Sequence, residues 1–218
     1  MNKNITGFTV FAAIILSMIE EHTVGFSIQI INDDISVAGG TSILAIISSL
    51  IMIVLTYLHY DIDSPISTNM VPTVSKRISS TIIDGIFTMV GIAGLVGLIP
   101  TFIEYSQTGV FSFSFERDHL RSTDTVTMLL SGVCSLFIAG IYFGYPLRTK
   151  KQTIGNYLTG IIVLPTTSDN VGWGKGLARL LLTFIAVAGF FITILIGRDK
   201  DGRYWHDKAT DTNVFLTE

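Results

Sequence analysis

Residues 76–91 read KRISSTIIDGIFTMVG: two cations open a long apolar run, and Asp84 interrupts it two helical turns further in. Projected on a helix, Arg77, Thr81, Asp84, Thr88 and Gly91 fall at i, i+4, i+7, i+11 and i+14, a single stripe of polar and small residues. An ionised aspartate deep in a bilayer costs on the order of 3 kcal/mol even on the lenient insertion scale. The stripe therefore faces protein or water, and the rest of the helix faces lipid. Helical rise puts Asp84 roughly 9 Å inside the apolar layer and Arg77 about 10 Å away along the same face. That is beyond direct ion pairing. The partner of Asp84 comes from another segment, or its proton stays on.

Composition supports a membrane chain. Of 218 residues, 49% are hydrophobic and only 14% charged, and the mean hydropathy is +0.58. A net charge of -3 without any long Lys/Arg run argues against nucleic-acid binding. The single cysteine, Cys134, sits in an apolar stretch and reads as a small packing residue. Five segments hold 15 to 25 mostly apolar residues each: Ile5 to Ile19, Thr41 to Tyr60, Ile78 to Phe102, Thr125 to Leu147 and Gly176 to Gly197. Crossing about 30 Å of hydrocarbon takes roughly 20 residues. The predicted fold is thus an all-α polytopic membrane bundle with four to five membrane-embedded helices. The first segment is short and either spans or lies tilted in the interface. Only Lys3 precedes it and no small-residue cleavage site follows, which reads against a cleaved signal peptide.

Orientation follows from Lys and Arg. With the N-terminus cytoplasmic, residues 20–40 lie outside without a cation, while 61–77 carry Lys76 and Arg77 inside. Residues 103–124 then lie outside, and 148–175 carry Arg148, Lys150, Lys151 and Lys175 inside. Tyr57, Tyr60, Tyr105, Tyr142, Tyr145, Trp173, Tyr204 and Trp205 lie near segment ends, where amphipathic rings sit. A full crossing by Gly176 to Gly197 would put the basic tail outside, so this last segment is either a plain span or bent near Gly189 and re-entrant. The only extended pieces expected are short: Ile161 to Leu164 and Asn213 to Leu216, which pair with each other, and a strand or interfacial patch at Val110 to Phe115.

Further residues complete a pattern. Gln152-Thr-Ile-Gly155, Gly160-Ile-Ile-Val163, Arg179 at the opening of the next apolar segment, and His206-Asp207-Lys208-Ala209 with Thr212 follow Arg77 and Asp84 in order. Together these resemble the RDD family of membrane proteins over about residues 76–216, with Arg77, Asp84 and Asp207 at the positions of the name-giving Arg and two Asp. Residues 1–65 lie outside the resemblance and read as an added helical hairpin. Ser79 and Ser80 replace the usual small residues, Asn156 stands where a basic residue is expected and Asp211 where a glycine is. The resemblance implies a membrane protein for which transport, including sodium/proton antiport in some members, has been suggested.

Two function classes follow. One is a small-ion or proton-coupled transporter, a cation/proton antiporter in which Asp84 alternates between protonated and ionised forms and Thr81 and Thr88 supply hydroxyl ligands to monovalent cations. The other is a non-transporting structural or accessory protein whose Arg77, Asp84, Arg179 and Asp207 lock helix packing or a partner interface. Two pairs are predicted, Asp84 with Arg179 and Arg77 with Asp207. Glu104 reads as a solvated helix terminus. Gly91, Gly94 and Gly97, with the G-x-x-x-G of Gly140 and Gly144, read as close helix packing, with a homo-oligomer or membrane partner as the other use. His59-Tyr-Asp61-Ile-Asp63 reads as a solvated turn and not a metal site. With no Walker loop, nucleophile elbow, H-E-x-x-H or C-x-x-C, no enzyme and no cofactor is expected. The setting is the cell membrane, with the lipid bilayer as partner.

Overall fold

A computed structural model describes residues 2–19, 25–31, 34–59, 66–67, 71–166, 173–188, 199 and 202–217. The chain forms two compact units: Met1–Lys3, Thr56–Gly85 and Ala139–Glu218 make one, Asn4–Leu55 and Ile86–Ile138 the other.

The second unit is a helical packing with a small sheet. It holds most of α1 (Lys3–Met18) and α2 (Ile43–His59), the later part of α3 (Val74–Val96), α4 (Leu98–Thr108) and the first part of α5 (Asp124–Thr149). Its helices are joined by hydroxyls donating to backbone carbonyls of neighbouring helices. Ser48 Oγ donates to Ala13 O at 3.0 Å, Ser49 Oγ to Val90 O at 3.2 Å and Thr41 Oγ1 to Gly94 O at 2.7 Å. Such bonds need close backbones, and small residues allow them. A Cβ on Gly94 would run into Ala45 O and Ser49 Oγ, and one on Gly91 would sit 3.3 Å from Met52 Cβ. On Gly97 it would meet Gly40 O.

Strands β1 (Gly25–Ile31), β2 (Asp34–Gly40) and β4 (Ser114–Arg117) form an antiparallel sheet in the order β1-β2-β4. Ser27 faces Ala38, and Gly39 faces Phe115. Here the all-α expectation is corrected: a β-hairpin stands between α1 and α2. Phe26, Ile28 and Ile30 alternate with Ser27 and Gln29, a period-2 pattern too short for a helix and rich in β-branched and aromatic residues. Gly39 belongs to the same design, since a Cβ there would lie 2.9 Å from the Phe115 ring and 3.0 Å from that of Phe26.

The first unit contains the start of α3, the end of α5, α6 (Ile154–Thr159), α7 (Trp173–Ala188), α8 (Trp205–Ala209) and a second antiparallel sheet. That sheet runs β3-β6-β5, from β3 (Ile66–Ser67), β5 (Ile161–Pro165) and β6 (Thr212–Thr217). Its β5–β6 register sets Val163 against Val214 and Leu164 against Asn213, the pairing expected from the two apolar pieces.

Among the described residues, two helical stretches are long and apolar enough to cross a membrane: Val74–Thr108, which contains α3 and α4, and α5. Two shorter apolar helices are Lys3–Leu16 and Ile43–Leu58. Four to five spans are therefore not established, and the bend at Gly189 lies outside the described residues, as do residues 60–63 of the His59–Asp63 turn. On α5, Val126, Leu129, Val133 and Phe137 are each more than half exposed. A water-soluble fold does not leave such a face open, whereas a lipid-facing helix does.

Candidate functional site

Two polar centres occupy the first unit. In the first, Asp207 is fully buried on α8 and meets two arginines: Arg77 Nη1 at 2.7 Å from Oδ2 and Arg179 Nη1 at 2.8 Å from Oδ1. The position of Asp207 is set locally. Its Oδ2 accepts the Tyr204 N–H at 3.1 Å, closing a capping box at the start of α8. Arg77 also donates to Gly202 O at 3.1 Å and lies over the Tyr204 ring, and Arg179 donates to Thr212 Oγ1. Arg77 and Asp207 thus meet as expected from the sequence.

The expected Asp84–Arg179 pair does not form; Arg179 is taken by Asp207 and Thr212. Asp84 is buried on α3, and its Oδ1 accepts from Tyr142 Oη at 2.6 Å and Gly155 N at 2.7 Å. Its Oδ2 accepts from Thr153 Oγ1 at 2.6 Å. Tyr142 Oη in turn accepts from Ile154 N at 3.1 Å. The physical reason for the exchange of partners is the start of α6: Thr153 is its N-cap, and the cap hydroxyl and the Gly155 N–H both donate to the carboxylate. Gly155 is required by this approach, because a Cβ there would lie 2.7 Å from Asp84 Cγ and closer still to Ser80 O. Tyr142, read from sequence as an interfacial ring, is buried in this network.

Both centres border one cavity of about 120 Å³, lined among others by Arg77, Ser80, Thr81, Asp84, Lys151 and Arg179. Thr88 does not line it. Thr81 Oγ1 donates to Arg77 O at 3.0 Å and Ser80 Oγ to Asn156 Oδ1 at 2.7 Å. Gly140 lies 3.7 Å, measured from an added Cβ, from Leu177, and a Cβ on Gly176 would overlap the Gly144 backbone. Tyr142, Thr153 and Gly155 were not singled out as site residues. The legible signal was Thr153 as a cap ahead of Ile154, the kind of residue that opens a helix and leaves N–H groups for an anion.

A sequence model of the RDD family matches residues 71–211, which include Arg77, Asp84, Arg179 and Asp207. The chain belongs to the RDD family. No curated protein and no solved structure matches it. In this RDD protein, Arg77 and Asp207 meet directly, while Asp84 has its own set of donors.

Electrostatics outside the long helices follow from burial. Burial would raise the Asp207 pKa, but Arg179 and Arg77 outweigh it and hold it below the usual carboxylate value. For His206, burial is the leading cause of a pKa lowered to about 4; Arg179 and Arg77 add to it, and Asp207 opposes it. The imidazole is neutral in the folded protein while the unfolded chain binds its proton near the ordinary 6.5. Stability is expected to fall as pH drops from 6.5 to 4, by up to roughly 3 kcal/mol from this group. Unfolding midpoints of wild type and His206→Gln across that range check it: the wild-type curve should be the steeper. Parallel curves would remove His206 from the account.

The expectation for Glu104 is corrected. Glu104 is not a solvated terminus: its side chain is 14% exposed and accepts from Arg117 at 2.7 Å and Arg121 at 3.0 Å. Arg117 also pairs with Asp124, whose Oδ2 takes the Arg121 N–H at 2.7 Å. The intervening segment folds back through β4, which brings these charges together. Among the described residues no cluster of three metal-binding side chains occurs.

Proposed function

We propose that this RDD protein is a multi-pass protein of the cell membrane, with a cytoplasmic N-terminus, in which the family's charges form a fixed frame around a small polar cavity. It is a binding or accessory protein of the bilayer and not an enzyme. The observation that carries this reading is the coordination of Asp84: three donors, one of them a backbone N–H that cannot rotate away, converge on its two oxygens. A carboxylate held this way is stabilised as an acceptor, and a proton on Oδ1 would displace the Tyr142 hydroxyl or the Gly155 N–H.

A second reading, cation/proton exchange at Asp84, is favoured by a specific observation: Asp84 lines the cavity beside Thr81. The two separate on flux. Wild type and Asp84→Asn are reconstituted into sealed vesicles holding a pH-sensitive dye, and sodium, potassium and lithium are added in turn. The frame reading expects identical traces from wild type, variant and empty vesicles. An ion-driven pH change seen with wild type and lost in Asp84→Asn would replace it with the exchanger.

A further inference from the structure

The cavity lining is of two kinds. Its charged groups already answer one another: Arg77 and Arg179 are set on Asp207, and Asp84 takes the donors of Tyr142, Thr153 and Gly155. Lys151 is engaged in an interaction of its own. The lining thus offers no charge that waits for a counter-ion. Much of the rest is apolar, built by Phe143, Pro146, Leu147, Ile161, Val163 and Val214. One neutral polar group is left open. Asn156 lines the cavity and is only 9% exposed, and its Oδ1 accepts from Ser80 Oγ at 2.7 Å. Ser80 Oγ donates to no other acceptor among the described residues, which fixes the amide with Oδ1 toward Ser80 and the NH2 away from it. That Nδ2 has no hydrogen-bond partner among the described residues and, unlike Arg77 Nε, it retains accessible surface. An unmet donor in the wall of a largely apolar cavity favours a ligand that brings it an acceptor.

From this arrangement we propose that the cavity binds a neutral, apolar molecule of about one-ring size whose carbonyl oxygen accepts from Asn156 Nδ2. The inference rests on reading the protein as a binding protein of the bilayer, and it names the class of ligand. Size agrees: the cavity of about 120 Å³ is close to the roughly 150 Å³ of an apolar cavity that takes up one benzene ring. Chemistry agrees, since a carbonyl supplies lone pairs without a charge, and the apolar wall receives the body of the molecule. A carboxylate or phosphate would instead bring a charge beside Asp84 with no free cation to offset it. Gly85 marks the room available. It lines the cavity, and an added Cβ there meets no described atom within 4 Å.

Gly85 also provides the test. A thiol is placed in the cavity by Gly85→Cys in a Cys134→Ala background, and its alkylation by iodoacetamide is timed in the full-length protein in neutral detergent. Three probes of matched size are added at equal free concentrations: cyclohexanone, methylenecyclohexane, which has CH2 in place of the carbonyl oxygen, and the anion pivalate. Cyclohexanone is expected to slow alkylation saturably, methylenecyclohexane to need about tenfold more, one hydrogen bond's share, and pivalate to leave the rate unchanged. Asn156→Leu is expected to remove the advantage of the ketone and to spare the effect of the hydrocarbon. A thiol that the reagent does not reach, no protection by cyclohexanone, equal protection by ketone and hydrocarbon, or stronger protection by pivalate overturns the proposal. So does a ketone advantage that survives Asn156→Leu. The ratio of ketone to hydrocarbon measured with Asn156 in place decides even where Asn156→Leu does not fold. Failure would leave the frame reading standing, because that reading is decided by flux through Asp84→Asn and not by ligand binding.

Discussion

Replacing Asp207 with asparagine is expected to cost about 3–5 kcal/mol, the penalty for removing one side of a buried ion pair. Asp207 is 0% exposed, and the side chains of Arg77 and Arg179 are only 11% and 17% exposed. Without the carboxylate, two guanidiniums would remain side by side in a low-dielectric site with no anion between them. Arg77→Gln and Arg179→Gln should each cost less, since one guanidinium stays on Asp207 in either case. Thermal unfolding in detergent at neutral pH reads all three. A midpoint for Asp207→Asn equal to wild type would show that the cluster does not hold the unit together. The same cluster gives a sign for pH: with the Asp207 pKa depressed, its stabilisation is present above the ordinary carboxylate range and is lost as pH falls through the depressed value.

At Asp84, asparagine and leucine should behave differently, and the contrast is diagnostic. In Asp84→Asn the retained oxygen can still accept from Tyr142 and Gly155, and the new amide can donate to Thr153 once that hydroxyl rotates. A cost of about 1 kcal/mol is expected. In Asp84→Leu both hydroxyls and the Gly155 N–H lose their acceptor. The hydroxyls can turn; the N–H cannot. Each orphaned donor costs about 1–3 kcal/mol, partly offset by no longer desolvating a carboxylate, so a net loss near 3 kcal/mol is expected. Unfolding midpoints of the two variants, with Thr153→Ala as a smaller step, measure this. Equal effects from Asn and Leu would mean that the hydrogen bonds at Asp84 contribute little and that only its charge matters.

Much of the frame was legible because its signals are local. The stripe from Arg77 to Gly91 could be read from one helix, and Asp84 had to turn toward protein because lipid offers a carboxylate nothing. The Arg77–Asp207 contact spans 130 positions, yet it could be expected from an Arg at a segment start and an Asp in a polar tail. The β5–β6 pair was equally readable, as two short apolar pieces each needing a partner. The hairpin of β1 and β2 was missed because a short apolar run beside a membrane-length segment reads as more helix, unless its period of 2 is given more weight than its hydropathy.

The sequence by itself determined that this chain is a membrane protein of helical character, which residues must avoid lipid, and which family it belongs to. Those properties depend on composition, periodicity and ordered motifs, all of which lie along the chain. Only the tertiary structure decided which partner each charge takes. Asp84 and Arg179 have opposite signs and comparable depths, and nothing in a linear reading separates that pair from the one that forms. What separates them is the short helix at Ile154–Thr159, whose cap hydroxyl and Gly155 N–H fill the space beside Asp84. The capping box at Tyr204 does the same for Asp207, turning its carboxylate to the two arginines. Partner choice here is set by which donors the backbone places against each carboxylate, and that placement is a property of the fold.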